Sequence, residues 1–344
     1  MRSVASVPAP VLGRRSFLAL AASLLAAPVA AQGAEARRYQ IGFANLTEDL
    51  GTRLEGLGFT GADVRASFAL AARALPVDMV FYDNDRNRAK TLANAEDAIA
   101  RRLDLYIQYC DDAGANAEIA KRMKAAGTPV LAIAYPVPGS PLYGPDNTLA
   151  GRMAGEALAK FAASHWPAAR AVAVIIGDLG NGGDHVPERV EGIAAALREG
   201  LPAAAQTRLD SNGNPALAES LLRRFAAGET TSKLLVAALD DTTALLTKAA
   251  VETAGRSVDT AIVSQGCDRS IHGGANDKKE IDPNNRGSIV IGSVAYLLDR
   301  YGYEVLPLAL KMLRGDPLPP RTTTRHMLVT AANVFTVYPP IDMN

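Results

Sequence analysis

Two α/β lobes, each built on a parallel sheet, are the architecture this sequence predicts, on three observations. Short apolar runs alternate with helix-like stretches from about residue 39 to residue 337. Polar residues cluster immediately after several of those runs. One turn-rich stretch, residues 143–156 (YGPDNTLAGRMAGE), interrupts the alternation near the middle. Strands separated by helices pair in parallel through right-handed crossovers. Such sheets bind ligands beyond the carboxyl ends of their strands. In the interrupting stretch Gly144, Pro145, Asp146 and Asn147, with Pro141 just ahead, are all turn formers. From Thr148 the pattern turns helical. Thr148 is the expected cap, Leu149, Met153 and Leu158 the expected core face, and Ala150, Gly151, Ala154 and Gly155 permit close packing. The chain is expected to leave one lobe here and enter the other, and a cleft between lobes is a common ligand site.

The elements follow in order. Residues 39–45 (YQIGFAN) read as a strand and 51–75 as mostly helix, with Val64, Phe68, Leu70 and Ala71 toward a core and Pro76 as the stop. Residues 77–82 form a second strand closed by Asp83, Asn84 and Asp85. A helix over 88–102 places Leu92, Ala95, Ala98 and Ile99 on one side. Residues 103–109 are a third strand, followed by Asp111 and Asp112; 117–126 are a helix ended by Gly127, and 130–134 a fourth strand. The second half repeats the rhythm. Strands are expected over 172–176, weakly over 207–209, and over 234–239 and 260–265, with apolar runs at 288–294, 327–329 and 334–337. Helices are expected over 186–199, 215–227, 242–254 and 297–314.

The chain begins with an address. Arg14 and Arg15 precede Ser16, Phe17 and Leu18 and an apolar run to Val29, a pattern resembling a twin-arginine export signal cut near Ala31. The alternative is an N-terminal anchor, but the run is shorter than the roughly 20 residues a spanning helix needs. No cysteine near the cut supports lipid attachment, so the expected product is periplasmic, with no membrane anchor. Charge is balanced, 36 basic against 36 acidic residues among 344. Nothing in that balance points to nucleic acid or an anionic membrane surface. Cys110 and Cys267 allow one disulfide, but each ends a strand in a different lobe, and two free, partly buried thiols are expected instead.

Catalytic signatures are weak. The loop 177–184 (GDLGNGGD) lies between strand and helix, as phosphate loops do, yet lacks the G-x-x-x-x-G-K-[ST] spacing and any lysine. His165, His185, His272 and His326 show no metal-ligand spacing, and there is no C-x-x-C and no G-x-S-x-G. No metal and no cofactor are expected. The pairs Asp111-Asp112 and Asp240-Asp241 read as acid–base carboxylates, as ligand contacts or simply as helix N-caps.

Taken together, these pieces resemble the periplasmic sugar-binding proteins of ABC transporters, the ribose- and galactose-binding type I family. The segments RAKTLANAEDAIARRLDLYIQY, GPDNTLAGRMAGE, ERVEGIAAAL, ALDDTTALLTKAAVETAG and LLDRYGYEVLPLALKMLRGDPLPP resemble family motifs in the family's order, over about residues 39–339. The resemblance implies two doubly wound lobes joined by a three-segment hinge, with crossings near 147–149, 296–297 and 325–327. It divides the mature chain into 38–147 with 297–325, and 148–296 with 326–344. It also nominates ligand residues. Arg189 stands where the family binds sugar hydroxyls, Asp240 where it often has Asn, with Asp241 following, Asp268 at the end of a second-lobe strand, and Tyr296 at a crossing position often held by Gln. In the first lobe the fit is looser: Ala134 and Tyr135 replace a common Asp-Arg pair. Asn45 and the loop behind it, with Asp111, Asp112 and Asp146, complete the expected ligand set.

The chemistry agrees. Asp, Asn and Arg meet paired hydroxyls well, and Tyr135 or Tyr296 can stack on an apolar sugar face. Competing readings are a turn residue for Tyr135 before Pro136 and a surface salt bridge for Arg189. An acid-rich cleft without lysine disfavours anions and leaves an amine-bearing ligand open. The expectation is a monomeric, non-enzymatic ligand-capture protein serving an inner-membrane ABC permease. The alternatives are a sensing module for a chemoreceptor or kinase, and a periplasmic hydrolase.

Overall fold

The computed structural model describes residues 37–180, 185–273, 279–285 and 287–339. The export segment and cut site, and the second half of the loop 177–184, therefore lie outside the described residues.

Twelve strands and ten α-helices make up the described residues. The first sheet is built from β1 (Tyr39–Asn45), β2 (Val77–Asp83), β3 (Leu105–Tyr109), β4 (Val130–Ile133) and β5 (Leu142–Gly144). Between them run α1 (Gly61–Ala72), α2 (Arg88–Ala100) and α3 (Ala113–Ala126). Then α4 (Asn147–His165) leads into the second sheet, made of β6 (Ala171–Gly177), β7 (Ala205–Asp210), β8 (Lys233–Ala238), β9 (Thr260–Gly266) and β10 (Val290–Ala295). Its helices are α5 (Val186–Gly200), α6 (Pro215–Gly228), α7 (Asp241–Thr253) and the single turn α8 (Arg269–His272). The chain finishes through α9 (Tyr301–Leu313), β11 (Arg321–Thr323), β12 (Met327–Val329) and the turn α10 (Val334–Val337).

Each sheet has six strands, ordered β11-β5-β4-β3-β1-β2 and β12-β10-β9-β8-β6-β7. All pairings are parallel except β10 with β12. The winding is the same in both: the first strand sits between the second and third, so both sheets reverse direction beside β1 or β6, where doubly wound sheets place their ligands. Central strands read as continuous apolar runs because helices cover both faces. All five residues of β3 and all seven of β9 are buried. β7 is a weak sequence signal because it is an edge strand with no fully buried residue.

The chain passes between the sheets three times: after β5, after β10 and between β11 and β12. One imidazole touches all three passages. The Asp146 N–H donates to His326 Nε2 at 3.0 Å, and His326 Nδ1 lies 3.1 Å from the Ala295 carbonyl. That pattern fits a neutral ring protonated at Nδ1, and burial, its largest influence, lowers the His326 pKa.

Three expectations need correction. Residues 51–60 hold only the short 3-10 turn Leu54–Gly56: α1 begins at Gly61, where Thr60 and Asp63 form a reciprocal capping box. α4 is capped by Asp146 rather than Thr148, and Leu149 faces outward, 45% exposed. Cys110 and Cys267 are free but fully buried rather than partly so.

Candidate functional site between the lobes

Close helix packing builds the second-lobe side of the site. A Cβ on Gly151 would lie 2.1 Å from the Arg189 carbonyl, and one on Gly192 2.3 Å from the Thr148 carbonyl. Only glycine permits α4 and α5 to approach this closely. The contact aims Arg189 along the start of α4, leaving it 1% exposed. Its Nη2 and Nε donate to Asn147 Oδ1 at 3.0 and 3.3 Å, and Nη1 donates to the Leu239 carbonyl at 3.1 Å. Nη2 also crosses to the first lobe and donates to the Glu55 carbonyl at 3.3 Å. The expected competing role, a surface salt bridge, does not fit a buried guanidinium bonded to neutral oxygens.

Tyr296 lies beneath, with the guanidinium 4.9 Å from its ring centre. Its hydroxyl sits 2.8 Å from Gln265 Oε1 and 3.2 Å from Asn147 Oδ1. One phenol proton cannot serve both oxygens. Turning over the Gln265 amide, whose Nε2 is buried without a partner, makes a consistent chain: Gln265 donates to Tyr296, and Tyr296 donates to Asn147. Burial raises the Tyr296 phenol to about 12, so it stays neutral. Tyr296 is thus a hydrogen-bonded floor for Arg189 as well as a ring.

Three carboxylates flank this centre, and each is first a structural group. Asp240 caps α7, accepting from the Thr243 N–H at 2.8 Å and its hydroxyl at 2.6 Å. Asp241 is wholly buried and accepts from Ser264 Oγ, Ser293 Oγ and the Asp268 N–H at 2.6, 2.9 and 2.7 Å. It thereby ties β9, β10 and the loop after β9. Asp268 caps α8 through the Ser270 N–H at 2.7 Å. Burial, then the charge of Asp268, pushes the Asp241 carboxyl well up; burial also raises Asp240.

The first lobe contributes what sequence reading missed. Glu55, in the turn Leu54–Gly56, adopts φ 55° and ψ 20°, left-handed backbone that a non-glycine residue holds only under constraint. Its side chain is 1% exposed. Tyr109 Oη donates to Glu55 Oε1 at 2.7 Å, and His185 Nε2 of the second lobe lies 4.0 Å from Oε2. Tyr135 bridges these partners, its ring centre 6.2 Å from Tyr109 and 5.4 Å from His185. The one hint in the sequence was the glycine density of 51–58. Gly58 shows why: a Cβ there would meet Asp268 Oδ2 at 1.3 Å. Beside that contact opens a cavity of about 1080 Å³, walled by Arg53, Gly58 and Asp63 on one lobe and Asp268, Ser270 and His272 on the other.

Arg189, Asp240, Asp268, Tyr296 and Tyr135 therefore gather around the junction. Four other expected ligand residues are committed elsewhere. The Asn45 amide is fully buried and donates to the Gly61 carbonyl at 2.8 Å. Asp111 pairs with Arg86 at 2.8 Å on the surface. Asp112 caps α3 through the Ala115 N–H at 2.9 Å and meets Arg88, and that N–H bond holds its carboxyl below the usual range. Asp146 caps α4 through the Leu149 N–H at 2.9 Å. Helix capping, one of the roles open for the aspartate pairs, accounts for Asp112 and Asp240 alike.

The comparisons with known proteins agree with this architecture. A sugar-binding protein of a sugar ABC transporter from Bacillus halodurans, 18% identical, superposes over 87% of this chain and 100% of its own with a TM-score of 0.67. An ABC transporter periplasmic solute-binding protein from Actinobacillus succinogenes, solved with bound D-allose, is 15% identical and superposes over 87% and 100% at 0.64. The fructose-binding periplasmic domain of a hybrid two-component system, 19% identical, superposes over 87% and 93% at 0.62. No curated protein matches the chain significantly. The profile of the periplasmic binding protein domain matches residues 59–316. With that match and the doubly wound lobes, the chain belongs to the type I periplasmic binding protein family.

Proposed function

We propose that this protein captures a small sugar or polyol between its lobes by hinge closure and hands it, chemically unchanged, to an ABC permease of the inner membrane. The observation that carries the reading is a guanidinium that reaches across the junction: Arg189, fixed on the second lobe by Asn147 and Leu239, bonds the Glu55 carbonyl of the first. A group so placed senses both lobes, and a ligand favours the closed form only as far as it contacts both. Arg189, Tyr296, Asp240, Asp268 and Tyr135 form the ligand set. Asn147 holds the arginine in place. The chain works as an exported monomer, cut near Ala31, and catalyses nothing.

Calorimetry with a panel of neutral sugars, amino sugars and polyols, paired with small-angle scattering, tests this. At least one binder and a smaller radius on binding are expected; no binder and an unchanged radius overturn the reading. A second reading, ligand sensing for a kinase, draws support from the two-component neighbour of the same fold. A pull-down against the neighbouring permease and against sensor-kinase periplasmic domains separates the two.

A further inference from the structure

Glu55 poses an unresolved electrostatic problem. Its carboxylate is almost wholly removed from water, yet no lysine or arginine among the described residues pairs with it. Arg189 bonds the Glu55 main chain, not its carboxylate. The direct partners of the carboxylate are one phenol, Tyr109, and the His185 ring at 4.0 Å, whose Nε2 is buried without a hydrogen bond. A buried charge lacking a counter-charge is costly, and removing it from water is repaid only by a well-placed cation.

Everything around it suits a cation. Tyr109 and His185 flank the carboxylate and Tyr135 stands between their rings, and phenol faces carry the negative quadrupole that attracts ammonium groups. Burial keeps the phenols of Tyr109, Tyr296 and Tyr301 neutral, and the Glu55 charge reinforces this. The second-lobe face adds Asp240 and Asp268 beside Arg189, while Arg269 and Lys279 line the neighbouring cavity.

We infer that Glu55 is the specificity-determining residue of the cleft and that its counter-charge is an ammonium group on the ligand, an amino sugar or aminopolyol. This rests on the capture reading and narrows it. The carboxylate meets the amine while the rings flank it, and Arg189 and the aspartates take the hydroxyls. The strained backbone at Glu55 fits a residue held for contact rather than for chain stability.

The test is calorimetry on the full chain with glucose, galactose and mannose, each beside its 2-amino and 2-acetamido counterpart. The parent sugar keeps the shape without the charge, and acetylation removes the charge at the cost of added bulk. An amino sugar is expected to bind at least about tenfold tighter than its neutral partners, equal to about 1.4 kcal/mol. The Glu55→Gln variant should erase that preference while Glu55→Asp keeps part of it. A neutral sugar that binds as tightly as its amine overturns the inference and leaves capture standing. A preference unchanged in Glu55→Gln also overturns it, with thermal melting confirming that the variant folds. If no member of the panel binds and the radius stays fixed, the capture reading falls and this inference with it.

Discussion

The two faces of the junction are built in opposite ways. On the second lobe the three carboxylates at the junction are anchored by regular structure: Asp240 and Asp268 cap helices, and Asp241 collects two serine hydroxyls and an amide. On the first lobe the decisive group, Glu55, sits in an irregular turn with strained backbone and no basic partner among the described residues. The second-lobe face is prepared before any ligand arrives, because its aspartates are positioned by the elements they terminate. The first-lobe face is the part left to be completed.

The largest effect that sharpens this contrast is expected at Arg189. Arg189→Ala leaves the buried Leu239 carbonyl without this donor and Asn147 with Tyr296 alone, costing roughly 1 to 3 kcal/mol of stability, and should weaken ligand binding by more than about tenfold. Chemical denaturation and calorimetry read both. Gly151→Ala comes next, since the added carbon meets the Arg189 carbonyl; a loss of about 1 to 3 kcal/mol is expected by denaturation. Gly58→Ala drives a methyl into Asp268, so it should spread the lobes and enlarge the scattering radius while circular dichroism stays that of the parent. An unchanged radius would show that the first-lobe loop yields instead.

A buried acid beside the cavity gives a pH test. Asp299 is raised to about 6 by burial, and its Oδ1 has no hydrogen-bond partner. A carboxyl whose folded pKa lies above its unfolded value binds protons more readily when folded, so its charge costs stability at pH 7, and that cost fades as pH falls from about 6 toward 4. Asp299→Asn should therefore stabilise the protein at pH 7, by up to about 3 kcal/mol, and by little near pH 4. His272, lowered to about 4 chiefly by burial, acts the other way: its contribution is complete above about pH 6.5 and lost as pH falls toward 4. The smallest effect is expected for Asp111→Asn, which breaks only a surface pair with Arg86, at less than about 1 kcal/mol and no change in affinity.

The regular parts of this architecture were legible because burial on both faces leaves unbroken apolar runs, as in β3, β6, β8 and β9. The second-lobe residues were nominated by the family resemblance, and Asp240 and Asp268 sit at helix starts just past β8 and β9. The turn around Glu55 was not. Its conformation is imposed by contacts with residues 130 or more positions away, such as Arg189, and no local pattern encodes that. The partners of Asp111 and Asn45 were hidden in the same manner, since the sequence shows polar groups at strand ends but not the neighbours that bind them.

The glycine seam between α4 and α5 constrains how such a protein can diversify. With Gly151, Gly155 and Gly192 bringing the two backbones together, the helices behave as one stiff beam, and the arginine is mounted on it. Its aim cannot drift without rebuilding the beam. Adaptation to a new cargo would then accumulate in the pliable segment around Glu55, leaving the mount as inherited.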